Sequence, residues 1–144
     1  HDALLTLDRC GLRYCGWLPN YDVPNVFAHY RVTVHVPRRP YVEALSGIPT
    51  IRPFEALACG IPLVSAFWHD SEGLFTPGHD FLVADNGREM RQHLRDVLND
   101  PELALELADH GRRTILERHT CAHRIDELLA IIDELSPARS HLHA

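Results

Sequence analysis

The chain of 144 residues has no apolar run close to the roughly 20 residues that a membrane-spanning helix needs. Its first residues also lack the basic and then apolar pattern of a secretory signal peptide. We therefore expect a cytoplasmic protein without a transmembrane segment. A composition of 45% hydrophobic and 24% charged residues is typical of a folded globular domain, and disorder is not indicated. The length suits one domain.

The chain also has no excess of positive charge, because its formal net charge is −6. A surface that binds nucleic acid non-specifically must be basic, so we expect no nucleic-acid partner. Cysteine is scarce, and its four positions form no CxxC pair and no zinc-like grouping. We expect Cys59, on a predicted helix, to be reduced and buried.

Histidine, in contrast, is abundant, with 11 residues. His119 and His123 are four residues apart and could share a helix face. No glutamate follows His119, as the zinc-protease motif would require, and no third ligand is evident. A solvated helix start capped by Thr120 is the alternative that we favour, and we expect no metal site.

The hydrophobic pattern predicts strands that alternate with helices. The predicted strands cover residues 12–18, 31–37, 61–65 and 80–84. The predicted helices cover residues 1–11, where only the last turns are present, 19–30 with Asp22 as N-cap, 87–100, 101–119 with an interruption at Gly111, and 121–135. Residues 38–46 are predicted to form a polar loop. This order indicates an α/β domain over residues 1–136, with a mainly parallel, Rossmann-like sheet, three C-terminal helices and a disordered tail at 137–144.

The segment GIPTIRPFEALACGIPLVS, residues 47–65, contains the strongest local signals. Pro53 fits the first turn of a helix, and Thr50 is a candidate N-cap whose hydroxyl would accept a hydrogen bond from a first-turn amide. Gly60 provides the left-handed conformation that ends helices. The apolar residues that follow predict a strand buried on both faces. The segment is therefore predicted to form a loop, a short helix and an inner strand.

The amino end of this short helix carries Arg52 and Glu55 near unpaired amides, a usual setting for a phosphate. Two simpler interpretations stay open at this point. Glu55 could merely complement the helix dipole, and Arg52 could be a solvated surface cation. The predicted strand ends favour a ligand, since residues 16–21, 35–39, 47–55 and 65–73 all lie at the edge where parallel sheets bind ligands.

The motif RPFEALACGIPLVS, followed by EGLFTPGHDFLVA and the last helices, resembles the carboxyl-terminal half of a retaining GT-B glycosyltransferase. The chain is most similar to group 1 glycosyltransferases of the type called spore maturation protein CgeB-like. The matching positions are Glu55, Ala56, Ala58, Gly60, Pro62, Leu63 and Val64. The resemblance extends over residues 12–135.

This resemblance implies a site for a nucleotide-sugar donor, a substrate rather than a cofactor, and a sugar acceptor that the sequence does not identify. In the family, the glutamate that matches Glu55 accepts hydrogen bonds from the ribose hydroxyls. The amides around Thr50 and Ile51 would face the diphosphate, and Arg52 would help to neutralise it.

The resemblance also assigns residues to the rest of the donor. Gly16, Trp17 and Leu18 would lie beside the base, with Trp17 as an apolar wall. His35 and Arg38 would line the cleft. It names no catalytic residue in this chain.

The chain departs from the family pattern in three respects. Many relatives have a second glutamate, which contacts the donor sugar, where this chain has Gly47; Glu43 is the nearest carboxylate upstream. The unit that carries the phosphate-binding Arg and Lys of relatives has no match, and neither has the acceptor domain. We therefore expect a truncated domain, inactive alone, in which exposed sheet edges could pair with a second copy.

These observations lead to one main hypothesis and two alternatives. The chain is predicted to be the donor-binding part of a glycosyltransferase of the hexosyltransferase type. The first alternative is a fragment of a GT-B-like sugar-nucleotide epimerase or phosphorylase. The second is a non-catalytic interaction module that uses the C-terminal helices.

Overall fold

The structure is a computed structural model that describes residues 9–45 and 47–135. The predicted tail at 137–144, and most of the predicted helix at 1–11, lie outside these residues. A 3₁₀ turn, Asn20–Asp22, precedes the first α-helix. The helices and strands then follow in the order α1 (Val23–Phe27), β1 (Thr33–His35), α2 (Arg39–Ala44), α3 (Ile51–Ala58), β2 (Leu63–Ala66), β3 (Leu82–Ala84), α4 (Gly87–Asn99), α5 (Pro101–Arg118) and α6 (Cys121–Leu135).

The three strands form one parallel sheet in the order β1-β2-β3. Val34 of β1 is in register with Val64 of β2, and Val64 is in register with Leu82 of β3. The prediction of an α/β domain with a parallel sheet is therefore confirmed. Within the described residues, β1 and β3 each pair on one side only. Association of two copies through these edges stays a prediction.

The central strand β2 is buried on both faces, as its apolar sequence predicts. Leu63 lies in the larger core cluster, together with Leu57 of α3 and Phe81. Val64, whose side chain points to the opposite face, packs with Val97 of α4 in a second cluster. Burial on both faces explains why this strand shows no alternation of polar and apolar residues.

Helix α5 is continuous through Gly111, so the predicted interruption there is wrong. The glycine is buried where α5 crosses α3. A Cβ atom at this position would lie 2.5 Å from Leu57 Cδ2 and 2.9 Å from the carbonyl oxygen of Asp80. The residue thus permits the close approach of α5 to α3 and to the chain before β3, and it does not end a helix.

The predicted strand at residues 12–18 is also wrong, because this segment is irregular and exposed. Tyr14 is 65% exposed and Trp17 is 85% exposed. A strand needs a neighbour for its backbone hydrogen bonds. No described strand lies beside this segment, so alternation of side chains alone does not make it a strand.

Three other local predictions need correction. The predicted loop at 38–46 contains helix α2. Asp22 occupies the N-cap position of α1, but its carboxylate accepts no amide hydrogen bond of the helix and instead accepts from Asn25 Nδ2 at 2.9 Å. Cys59 is exposed rather than buried. It lies at the C-cap of α3, beyond the face that packs on the sheet.

Helix α6 forms as predicted, but its apolar stripe does not pack on the described part of the chain. Its large apolar residues are each about half exposed or more: Ile125, Leu128, Leu129, Ile131, Ile132 and Leu135. Within the described range, no helix is both long enough and apolar enough to cross a membrane.

We expect Gly111→Ala to destabilise the protein although alanine favours helices. The gain in helix propensity is about 1 kcal/mol. Overpacking a core typically costs about 1–3 kcal/mol, and here one close neighbour is a backbone oxygen that cannot rotate away. The free energy of unfolding, measured with urea, should therefore fall by up to about 2 kcal/mol.

Gly87→Ala is the matched control, because a Cβ at this first residue of α4 has no neighbour within 4 Å. Its stability should be equal to or slightly above that of the wild type. Equal stabilities of Gly111→Ala and Gly87→Ala would show that the crossing of α5 and α3 tolerates a methyl group.

Candidate functional site

The short helix α3 begins and ends as the sequence predicts. Thr50 has the extended backbone of an N-cap residue, with φ −77° and ψ 168°. Pro53 lies in the first turn, where its missing N–H costs no helical hydrogen bond. At the other end, Gly60 has a positive φ of 66°, the left-handed conformation that glycine adopts readily. In the chain, α3 lies between β1 and β2, and it contacts both strands.

The hydroxyl of Thr50 makes no capping hydrogen bond, so this part of the prediction is wrong. Its Oγ1 lies instead 2.9 Å from Nε2 of His35, at the end of β1. The first amides of an α-helix have no partner within the helix. Because the Thr50 side chain is engaged elsewhere, it leaves the amides at Ile51 and Arg52 to a ligand or to water.

His35 connects this helix start to the sheet. Its Nδ1 lies 3.0 Å from the hydroxyl of Ser65, the residue opposite it in the register of β1 and β2. The Ser65 hydroxyl donates its single hydrogen to the carbonyl of Ala66, at 2.8 Å, so it accepts from His35 Nδ1–H. Nε2 of the neutral ring then accepts from the Thr50 hydroxyl.

The environment of His35 keeps its ring neutral. The residue is buried, with 6% of its surface exposed. Burial lowers the pKa of His35 below its ordinary value, and the positive charge of Arg52 lowers it further. The neutral ring is the form that can accept the hydrogen bond from Thr50.

Arg52 and Glu55 form an ion pair on one face of α3. Arg52 Nη1 lies 3.2 Å from Glu55 Oε2, and the two residues are three apart, as neighbours on a helix face are. The Glu55 side chain is 15% exposed, whereas that of Arg52 is 42% exposed. Glu55 Oε2 is buried and has no partner with hydrogen-bond geometry. The Arg52 guanidinium also lies over the ring of Phe27, 5.9 Å from its centroid.

A cleft of about 560 Å³ opens at the tip of β1. Its walls contain two cations, Arg38 and Arg52, and the polar side chains of His35 and Thr50. The structure therefore brings together four of the predicted site residues. Ile51 lies beside them at the first position of α3, with its side chain 62% exposed.

Gly16 and Trp17 do not line this cleft. They lie on the irregular segment before α1, where Gly16 has a positive φ of 85° and no neighbour within 4 Å of a Cβ position. Their predicted place beside a base stays a prediction, because no strand holds this segment against the sheet.

A second, more enclosed cavity of about 240 Å³ adjoins the cleft. The two spaces share six lining residues: His35, Pro37, Leu45, Ile48, Pro49 and Thr50. The chain after β2 supplies a further wall of the cavity through Phe67, Trp68 and His69. The sequence analysis included these residues in the range 65–73 at the ligand-binding edge, but it did not name them individually.

Two aspartates hold the chain between β2 and β3 in place. Asp70 Oδ2 accepts from the Phe75 amide at 2.9 Å. Asp80 is completely buried and accepts from three groups: the Thr76 amide at 2.6 Å, His110 Nδ1 at 2.7 Å and the Thr114 hydroxyl at 2.7 Å. The last two groups belong to α5, so this helix fixes the chain that forms the cavity wall.

Within the described residues, no group of three or more His, Cys, Asp or Glu side chains has the geometry of a metal site. The rings of His119 and His123 form hydrogen bonds within the protein, one to a distant residue and one to a near one. Nε2 of His119 lies 2.9 Å from the carbonyl oxygen of Leu74, and Nδ1 of His123 accepts from the Thr120 amide at 3.3 Å. These contacts hold the start of α6.

Comparison with known proteins identifies the family of the chain and a similar fold. The family model described as "Glycosyl transferase-like" matches residues 4–130. The structure is similar to sucrose-phosphate synthase from Thermosynechococcus elongatus, with a TM-score of 0.74 and 15% sequence identity. This match covers 95% of the present chain and 34% of the synthase chain. At this identity the likeness shows the fold alone. None of the curated proteins matches the sequence, and the CgeB-like subgroup stays a prediction.

We expect the stability of the protein to fall as the pH falls below about 6.5, partly through His35. The folded-state pKa of His35 is lowered, so the unfolded chain binds a proton first. The stability that neutral His35 contributes is complete above the unfolded pKa of 6.5 and is lost as the pH falls toward the folded pKa. His35→Gln removes this contribution.

Urea unfolding of the wild type and of His35→Gln between pH 5 and pH 7.5 measures the contribution of His35 to the free energy of unfolding. The wild type should lose more stability than His35→Gln as the pH falls through this range. Parallel stability curves would contradict a buried, neutral His35.

Proposed function

The chain belongs to the glycosyl transferase-like family, and we propose that it is the donor-binding part of a retaining glycosyltransferase. In this proposal it binds a nucleotide diphosphate sugar, and the enzyme transfers the sugar to an acceptor of unknown identity. The chain spans about a third of the sucrose-phosphate synthase chain that it resembles. The complete reaction therefore requires groups beyond those described here.

The observation that carries the proposal is the cleft at the tip of β1. Its cations, Arg38 and Arg52, lie beside the first turn of α3. Backbone amides at a helix start bind phosphate through hydrogen bonds and the helix dipole. Two guanidinium groups add charge and can each hold two oxygen atoms. This arrangement suits a diphosphate.

Glu55 is the group that we assign to the ribose. It lies one helical turn beyond Arg52, at the edge of the residues that line the cleft, and its Oε2 is 3.2 Å from Arg52 Nη1. A carboxylate has two acceptor oxygens, so a carboxylate that pairs with Arg52 can still accept hydrogen bonds from sugar hydroxyls. A diol next to a diphosphate is what the ribose of a nucleotide offers.

The residues of the cleft would assist transfer by stabilising the leaving group. When the bond between the sugar and the diphosphate breaks, negative charge grows on the phosphate oxygens. Donors and cations that are already in position stabilise this charge without reorganisation. Arg52 is positioned by Glu55 and Phe27, and the helix start is positioned by the contact of Thr50 with His35. No residue of the chain is assigned to proton transfer.

Replacing Glu55 by alanine should weaken the binding of the preferred nucleoside diphosphate by about 10- to 100-fold, because hydrogen bonds to charged groups contribute about 1.5–3 kcal/mol. A thermal-shift screen of UDP, GDP, ADP and dTDP identifies that nucleotide, and calorimetry then measures its Kd.

Glu117→Ala is the matched control, since Glu117 is an exposed residue of α5 that lines neither the cleft nor the smaller cavity. Its Kd should equal that of the wild type. An unchanged Kd in Glu55→Ala, or no binding of any of the four nucleotides, would refute the proposed donor site.

A further inference from the structure

The hydrogen-bond chain at the start of α3 contains one hydrogen atom whose direction depends on a protonation state. Nδ1–H of His35 donates to Ser65, because the Ser65 hydroxyl donates its own hydrogen to the carbonyl of Ala66. Nε2 of the neutral ring accepts from the Thr50 hydroxyl, 2.9 Å away. A hydroxyl has a single hydrogen. While His35 is neutral, the hydrogen of Thr50 is therefore engaged by the ring.

Protonation of His35 reverses the last bond of this chain. The imidazolium has a hydrogen on both ring nitrogens, so it can only donate. Nδ1–H keeps its bond to Ser65, and Nε2–H donates to Thr50 Oγ1. The Thr50 hydroxyl then accepts from the ring, and its own hydrogen is free to bond another acceptor. One proton on His35 thus changes the partner to which Thr50 donates.

Thr50 links the ring of His35 to the cleft. Its side chain lines the cleft, and it directly precedes the first amides of α3, which the proposed function assigns to the diphosphate. The side chain of an N-cap residue can reach first-turn amides, so an anion bound to those amides is also within its reach. This role of Thr50 rests on the proposed function.

We propose that His35 is a proton-dependent positioning residue for the diphosphate of the nucleotide sugar. When the diphosphate binds in the cleft, His35 takes up one proton from the solvent, and Thr50 turns its hydroxyl hydrogen toward a phosphate oxygen. The site gains one positive charge and one hydrogen bond to the phosphate. No covalent bond forms or breaks in this step.

The charges around His35 explain why an anion would drive this uptake. The charged and titratable groups that share the cleft or the cavity with His35 are Arg38, Arg52 and His69, and Glu55 pairs with Arg52. Burial and the charge of Arg52 lower the pKa of His35. A diphosphate brings negative charge that offsets the arginines, so we expect it to raise the pKa of His35 again.

Proton and diphosphate should therefore bind cooperatively. A ligand that raises the pKa of a group binds more tightly when that group is protonated. The gain in affinity is absent above the pKa of His35 in the complex. It is complete below the pKa of His35 in the free protein, which is lower than 6.5. Affinity for the diphosphate should rise as the pH falls between these two values.

The ligand used in the test must not titrate itself. The terminal phosphate of a free nucleoside diphosphate takes up a proton near pH 6, as phosphate monoesters do at a pKa of about 6. Its methyl ester has no such group, and it also carries no sugar that the site could reject. The probe is the methyl ester of UDP, GDP, ADP or dTDP, according to the nucleotide that the thermal-shift screen selects.

Calorimetry of the wild type at pH 6 in two buffers of different ionisation enthalpy counts the protons taken up on binding. We expect net uptake of a fraction of one proton per probe. The Kd should be about 10-fold lower at pH 5.5 than at pH 7.5, because a nearby opposite charge changes the protonation equilibrium of a side chain by about 10-fold or more. No net uptake, or a Kd that does not change with pH, would refute the role of His35.

His35→Gln tests whether the proton binds at this ring. Glutamine can hydrogen-bond Ser65 and Thr50 but does not titrate. This variant should show no proton uptake and a Kd that is independent of pH. His69→Gln is the matched control, because it removes the other histidine of the adjoining cavity. It should keep the uptake and the pH dependence. A purely structural His35 would instead give a variant with weaker binding and the pH dependence of the wild type.

A pair of Thr50 variants tests whether the hydroxyl transmits the effect. Thr50→Ser keeps the hydroxyl, and Thr50→Val replaces it by a methyl group. At pH 7.5 the two Kd values should be similar, because the hydroxyl is then engaged by His35. At pH 5.5 Thr50→Ser should bind the probe several-fold more tightly. Equal Kd values at pH 5.5 would show that Thr50 does not donate to the phosphate.

The outcomes separate this inference from the proposed function. If the probe binds and Glu55→Ala weakens its binding, but no proton is taken up, the donor site stands and the role of His35 is refuted. If none of the four nucleotides binds, both proposals fail.

Discussion

The hydrogen-bond chain from Thr50 through His35 to Ser65 is the interaction on which the site depends. It joins the start of α3, the end of β1 and the centre of β2, three segments that are distant in sequence. Because Ser65 donates to the carbonyl of Ala66, the direction of every hydrogen bond in the chain is determined. Because its hydroxyl bonds to His35, the Thr50 side chain does not cap its own helix, and it leaves the first amides of α3 without a side-chain partner from Thr50.

Helix α5 packs closely against α3, which carries part of the site. Gly111 lets α5 lie against Leu57 of α3 and against the backbone at Asp80. The buried carboxylate of Asp80 then connects the chain before β3 to His110 and Thr114 of α5. Helix α5 thus supports both sides of the site, the helix that carries Arg52 and the segment that carries Trp68. A rigid scaffold of this kind is what electrostatic preorganisation requires.

The cleft and the smaller cavity share much of their lining, including His35, Ile48 and Thr50. The cleft adds two arginines beside a helix start, an arrangement that suits an anion. The cavity adds the side chains of Phe67, Trp68 and His69. The proposed nucleotide-sugar donor contains such an anion in its diphosphate.

The sequence by itself determined the features that depend on neighbouring residues. Helix α3, its proline and glycine signals, and the strand β2 are local in origin, and the structure confirms them. Tertiary structure decided what depends on distant partners. Residues 12–18 alternate like a strand, but no strand of the described residues pairs with them. Likewise, Thr50 is typical of an N-cap residue in the sequence, but in the fold its hydroxyl forms a hydrogen bond with His35. A polar group can bond to any partner within reach, and only the fold decides which partner that is.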